Sequence, residues 1–331
     1  MGRKRMSISR RSLLFALGAA PTALLVRIAF AAYPDHPIRM VVPFAAGGNA
    51  DIVGRIVAER MAAALGQPVV VDNRAGAGGS IGAEAVARAE ADGYTLLVGS
   101  NGPLTVNPFV QAKLGYDPLK DFAPIALTSY VPHVIIVHPA VEAKTIAELI
   151  ALSKRSPITI GTSGVGSATH LTLERFIAQT GAKLTHIPYK SGGALLPDVI
   201  AGNIQAAMTE FSTAWPLHRS GQGRVIAIAA AQRSQLAPDL PTMIESGVTD
   251  FTAQSYVGIL APAATAGAVV EQLQKAVASG LSAGPAVEKL HTLGAELATP
   301  EQMTAAGFAA FIRADFERSR EAAKLAGLTP Q

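Results

Sequence analysis

Ser163, Ser167 and His170 stand within one short glycine-rich stretch, GTSGVGSATH, residues 161–170. Residues of these types support two chemistries. A serine hydroxyl with a histidine base in reach, and a third group to orient the base, can attack a carbonyl. Free N–H groups and hydroxyls at the start of a helix can instead hold an anion, with the helix dipole adding to the attraction. A plain turn is the third reading. The flanks bear on the choice: "ITI" before the stretch is strand-like, and LTLERFIAQ after it is amphipathic at helical spacing. Ser163, Gly166, Ser167, Ala168 and Thr169 would then offer donors between a strand and a helix. Neither Ser163 nor Ser167 sits in a G-x-S-x-G elbow, and a first-turn histidine more often packs or bonds a nearby carbonyl than acts as a base.

A second stretch has the same logic. PFAAGGNAD (43–51) joins the strand-like IRMVVPF (38–44) to the helical DIVGRIVAERMAAAL (51–65). Gly47 and Gly48 allow the backbone to approach a ligand, and Asn49 suits an N-cap. Asp51, in the first turn, either complements the helix dipole or partners an amine on a ligand. Two such helix starts facing across a cleft would clamp a carboxylate without lysine or arginine. Other strand ends offer Ser100, Asn101 and Thr105 in SNGPLTVNP, and Tyr189 and Ser191 in HIPYKSGG. GAGGSIG (76–82) lacks the G-x-G-x-x-G spacing and the following acid of a dinucleotide site, which leaves a structural loop or a cleft edge. No H-E-x-x-H, EF-hand loop or Cys/His cluster occurs, so neither a metal nor a cofactor is expected.

The elements that must position these residues alternate. Strands at 38–44, 68–73 and 94–100 alternate with helices at 51–65 and 83–91, an order that implies a parallel, doubly wound sheet. After a proline-spaced region at 103–132 a second set begins with strands at 133–139, 158–163, 183–189, 204–211 and 225–231. Thr145 and Glu148 form a capping box for a helix over 145–154. A strand over 255–262 and helices at 268–281 and 300–328 follow, the last opened by Thr299, Pro300 and Gln302. The fold class is therefore α/β with two lobes, the second inserted in the first. Lobe one takes 32–134 and 251–331, lobe two 135–250, and two crossings link them. Ligands of such sheets bind beyond the carboxyl ends of the strands.

Residues 1–31 read as a secretory signal: a basic start, an apolar run over Leu13–Val26, and AFA before Ala32. SRRSLLFA has a twin-arginine look. The run is short of the roughly 20 residues a membrane anchor needs. Of the formal net charge of +4, six basic residues lie in 1–31 with no acid, so the remainder carries +4 − 6 = −2. The basic balance belongs to the leader, and nucleic acid is not an expected partner. The chain has no cysteine, which excludes disulfides and a lipid-anchored cysteine. A soluble periplasmic protein is expected.

Taken in order, YPDHPIRMVVPFAAGGNADIVGRIVAERM, VVVDNRAGAGGSIGAEAVARAEADGYTLLVGS, GTSGVGSATHLTLERF, HIPYKSGGALLPDVIAGNIQAAM and APDLPTMIESG resemble the Bug proteins, extracytoplasmic receptors of the tripartite tricarboxylate transporter type. The resemblance spans Tyr33 to the C-terminus. It implies a type II-like periplasmic binding fold that closes on a small organic carboxylate, acts without catalysis, and is a monomer that meets a membrane permease of one large and one small subunit. It further implies that the carboxylate is held, partly through water, by Phe44, Ala45, Gly48, Asn49 and Asp51 and by Ser163, Gly166, Ser167, Thr169 and His170. Three departures stand near the expected distal end of the ligand: Tyr256 where the family often has Trp, Glu210 where it commonly has Asp, and the unusual NGPLTVNP. The same fold could instead serve a membrane sensor. An exported hydrolase using Ser and His170 is the remaining alternative.

Overall fold

A computed structural model describes residues 1–2, 33–282 and 284–330; the expected leader falls, apart from its first two residues, outside the described residues. IRMVV forms β1 (Ile38–Val42), almost wholly buried. That continuous apolar run suits a strand covered on both faces. It lies between β2 (Val69–Asn73) and β3 (Thr95–Gly99), parallel to both. Helix α1 (Asn49–Leu65) buries Val53, Ile56, Val57 and Met61, one face at helical spacing, and stops at Gly66, whose φ of 70° suits glycine. Helix α2 is Ser80–Ala87.

The proline-spaced region is where expectation and structure part. Phe122–Val137 is one 16-residue strand, β4. Its prolines remove N–H donors, which argues against a strand in sequence; here the pairing register shifts between Pro124 and Ala126, a local irregularity that accommodates the ring. Residues 122–132 pair antiparallel with β9 (Gln254–Pro262). Residues 133–137 pair with β7 (Ala206–Glu210) and β8 (Arg224–Ile228). One strand thus belongs to both half-sheets. Beyond β7 lie β5 (Ile158–Thr162) and β6 (Leu184–Pro188), parallel to one another.

Lobe two also carries α3 (Ile146–Ser153), α4 (Ala168–Thr180), α5 (Leu196–Ala201) and α6 (Phe211–Arg219). The expected capping box of α3 is present, with the Glu148 N–H donating to Thr145 Oγ1 and the Thr145 N–H to Glu148 Oε2. Helix α7 (Gly267–Gly280) packs on α1, so the chain returns to the first lobe. A short helix α8 (Pro285–Thr292) and strand β10 (Glu296–Leu297) precede α9 (Ala305–Leu325), and neither was expected. The start of α9 is corrected too. Thr299 and Gln302 do exchange hydrogen bonds, but they close a turn; the cap is Thr304, which accepts from the Gly307 N–H. One buried apolar cluster runs from Met40 and Val53 through Val131 and Val257 to Phe211 and Ala214, joining the two lobes at the crossings.

Candidate functional site

The ends of β1, β3, β5 and β7 converge on a narrow cleft. From one side come Phe44, Gly48, Asn49, Ala50, Ser100 and Gly102. From the other come Ser163, Ser167, Ala168, Ser191, Gly192 and Glu210, with Ser255 at the crossing strand β9. Nine of the sequence-selected residues are therefore brought together: Phe44, Gly48, Asn49, Ser100, Ser163, Ser167, Ala168, Ser191 and Glu210.

Both helix starts are arranged as donors. Gly48 is the N-cap of α1 in extended conformation with no side-chain cap, and the Ile52 N–H already reaches the Gly48 carbonyl. Helix geometry leaves the earlier N–H groups of that turn without intrahelical acceptors. In α4 the N-cap is Ser167, whose Oγ accepts from the His170 N–H, while the Leu171 N–H reaches the Ser167 carbonyl. The N–H groups of Ala168 and Thr169 remain at that tip. Ser163 Oγ is buried without a hydrogen-bond partner, an arrangement that costs free energy unless a ligand or water completes it.

The expected N-cap, Asn49, is instead the first residue of α1, because Gly48 takes the extended conformation; the Asn49 Oδ1 accepts from Ser212 Oγ across the cleft at 3.0 Å. Other residues belong to the walls behind the cleft. The Ala45 N–H donates to the Lys190 carbonyl at 3.1 Å, a bond between lobes. Asp51 accepts from the Gly47 N–H, Arg55 and Asn73, and so braces the loop from behind. Thr169 Oγ1 accepts from the Ser163 N–H and bonds Ser167 Oγ. His170 Nδ1 accepts from the Gly166 N–H, and its ring stacks on His186 at 4.6 Å. Tyr189 donates to Asp198 Oδ2 at 2.6 Å. Asn101 and Thr105 reach Asp315 of α9. Loops aimed at a ligand by their N–H groups turn many of their side chains the other way, as Asp51, Asn101, Thr169, His170 and Tyr189 do; Ala45 and Gly166 do not line the cleft either. Of the three departures, Tyr256 is also displaced: it is buried in lobe one against Phe308 and Phe311.

Ala50, Gly102, Gly192 and Ser255 line the cleft without having been selected. Gly192 was signalled, since it follows Ser191 in the same loop; Ser255 had no local signal. The 76–82 loop is a cleft edge: a Cβ on Gly78 would lie 2.4 Å from the Val165 carbonyl oxygen of the facing lobe.

The electrostatics follow from burial. Burial alone raises the Asp51 carboxyl, but Arg55, the Gly47 N–H and Asn73 outweigh it and hold it below the usual carboxylate range. A lowered folded value means stability that is present above the unfolded pKa and lost as pH falls through the folded one. Asp51→Asn is therefore expected to lower the unfolding free energy at pH 7, with the difference from wild type shrinking toward pH 3. Urea unfolding across that range checks it, and a constant difference would refute the charge contribution. Burial, with His186 adding to it, pushes His170 down to about 4. With its Nδ1 committed to Gly166, His170 stands beside no serine hydroxyl as a base. Burial pushes Glu210 up, with no charged neighbour opposing it.

A sequence profile described as the tripartite tricarboxylate transporter family receptor matches residues 53–328. Protein BugT of Bordetella pertussis strain Tohama I is 34% identical over 302 residues, 90% of this chain and 93% of that protein. A solved R. palustris protein, Rpa4515 with adipate, is 32% identical, with a TM-score of 0.86 over 90% of this chain and 100% of that one. MatC from Rhodopseudomonas palustris with bound malate is 30% identical, with a TM-score of 0.84 over 88% of this chain and 99% of that one. The two-lobed frame, the paired helix starts and these similarities converge, and the chain belongs to the tripartite tricarboxylate transporter receptor family.

Proposed function

We propose that this protein is a periplasmic receptor that captures a small organic carboxylate between its lobes and delivers it, as a monomer, to a tripartite tricarboxylate-type permease. The carrying observation is the convergence of the α1 and α4 starts on one cleft that also holds the unpartnered Ser163 hydroxyl. Lobe one comprises 32–134 and 251–331, and lobe two 135–250. Residues 1–31 act as the export leader. No helix of the described residues is long and apolar enough to cross a membrane, in keeping with a receptor that meets its permease from outside. The proteins that bind adipate and malate set the class of ligand to try first.

A hydrolase reading has one new observation to answer. Ser255 Oγ lies 2.8 Å from His133 Nε2. The His133 Nδ1 faces Thr172 Oγ1 and no carboxylate, and burial together with Arg175 pushes His133 down to about 3. Such a ring is a poor base at neutral pH. Binding without turnover is the better reading.

A thermal-shift panel of mono-, di- and tricarboxylates and amino acids tests it. An acid that binds only the folded protein, at about 100 times its Kd, adds roughly 2.7 kcal/mol. At least one dicarboxylate is expected to raise the unfolding temperature by several degrees. No stabilisation by any acid at millimolar concentration would reject the carboxylate reading.

A further inference from the structure

The start of α1 is gripped from lobe two. Asn49 Oδ1 accepts from Ser212 Oγ at 3.0 Å, between residues 163 apart in the chain. The other side-chain bonds that join the lobes, His133 to Thr172 and Ser255 to Glu210, start from the crossing strands β4 and β9. Away from those strands, Asn49 and Ser212 are the one hydrogen-bonded side-chain pair between the lobes among the described residues. Both are almost wholly buried. Asn49 lines the cleft and Ser212 does not.

The bond sets which end of the Asn49 amide meets the cleft. Ser212 is the second residue of α6, and among the described residues Asn49 Oδ1 is the one acceptor that its hydroxyl hydrogen reaches. Turning the amide over would give the bond to Nδ2 and leave that hydroxyl hydrogen without an acceptor in a buried place, which is costly. With Oδ1 held, the Nδ2 hydrogens are turned from Ser212. Nδ2 meets no acceptor among the described residues, and the open side of Asn49 is the cleft. Asn49 is also the first residue of α1, whose N-cap, Gly48, offers no side-chain cap. The backbone N–H groups of that turn lack intrahelical acceptors. The amide nitrogen therefore adds a side-chain donor beside backbone donors, where the helix dipole favours an anion.

We propose that Ser212 is a positioning residue: from lobe two it fixes the Asn49 amide so that Nδ2 donates to the ligand's carboxylate at the start of α1. This rests on the carboxylate-receptor reading and deepens it. Ser212 touches no ligand and acts through Asn49. Because the bond spans the lobes away from the crossing strands, parting the lobes breaks it and frees the amide to turn. Lobe one alone offers an amide that presents oxygen or nitrogen; the closed form offers nitrogen. Closure therefore completes the donor set, and at that point the cleft selects a carboxylate oxygen over an ammonium group.

A double-mutant cycle on the full chain tests it, read by calorimetry with the acid that gives the largest shift in the thermal-shift panel, malate and adipate being among those tried. Asn49→Ala is expected to weaken binding by about 10- to 100-fold, the loss of one bond to a charged group. Ser212→Ala, which removes no ligand donor, is expected to weaken it by about 3- to 10-fold, and by less than about twofold once Asn49 is already alanine. Equal losses from Ser212→Ala in both backgrounds would overturn the proposal, because Ser212 would then act without Asn49. A spectroscopic readout separates orientation from support of the fold. In 1H–15N spectra the Asn49 side-chain amide pair, identified by its loss in Asn49→Ala, is expected to shift when the acid binds the wild type and to shift less in saturated Ser212→Ala. A pair unmoved in the saturated wild type would overturn the proposal even where the cycle shows coupling. A panel without a hit rejects the receptor reading and this proposal with it; a hit with uncoupled losses rejects this proposal alone.

Discussion

Gly193→Ala is expected to weaken carboxylate binding by about 100-fold while leaving the ligand-free stability within about 0.5 kcal/mol of wild type. The argument is steric and specific to closure. A Cβ on Gly193 would lie 2.4 Å from the Gly47 carbonyl carbon, 2.5 Å from its oxygen and 2.8 Å from the Gly48 nitrogen. These are backbone atoms of the facing loop, so no rotamer change relieves the clash. The lobes must part, and the bond from the Ala45 N–H to the Lys190 carbonyl is lost with them. Overpacking of this kind costs about 1–3 kcal/mol, and a rigid backbone contact belongs at the upper end, where each 1.4 kcal/mol is tenfold in affinity. Gly193 is not among the glycines of positive φ, so alanine strains nothing within its own lobe. Calorimetry with an acid that stabilises the wild type in the thermal-shift panel, together with small-angle scattering, checks both halves. A variant that binds as tightly as wild type would show that closure to this extent is not part of binding. A variant that merely unfolds would show that the loop serves lobe two rather than the cleft.

Much of this arrangement is legible in sequence, and the reason is local. A strand followed by a Gly/Ser/Thr loop and an amphipathic helix specifies where a helix start will be, and both helix starts of the cleft are of that kind. Direction is less legible. His170 and Asp51 are near enough in sequence to be selected with their loops, yet each points backward to hold its loop in shape. Distance in sequence hides more. Ser255 and His133 are 122 residues apart and meet only because β9 pairs with β4. That pairing was itself obscured, since Pro124 and Pro132 break the strand signal over residues 122–132. The second lobe's sheet was visible, with residues 133–137 of the shared strand, while its 122–132 half was not, and the Ser255–His133 contact depends on that half pairing with β9.

Ala168→Pro is expected to lower affinity for the carboxylate by about 10- to 100-fold with little effect on the fold, and it isolates one donor at the tip of α4. Ala168 is the first residue of α4 and lines the cleft. Proline suits that helical position, because its missing N–H has no intrahelical acceptor and its fixed φ matches the helix. The preceding residue must be extended, and Ser167 already is, at φ −74° and ψ 163°. The substitution therefore removes one N–H from the anion site and spares the helix. A hydrogen bond to a charged group contributes about 1.5–3 kcal/mol, which sets the expected loss. Ala168→Gly is the control: it keeps the N–H, removes only a methyl group, and should bind within about threefold of wild type. Calorimetric titration of both variants with the same acid decides the matter. Equal affinities would mean that the α4 start is a structural turn and that the carboxylate is held by the α1 loop alone. A loss confined to the proline variant would place the ligand's charge at the tip of α4, where the Ser163 hydroxyl lies buried without a partner.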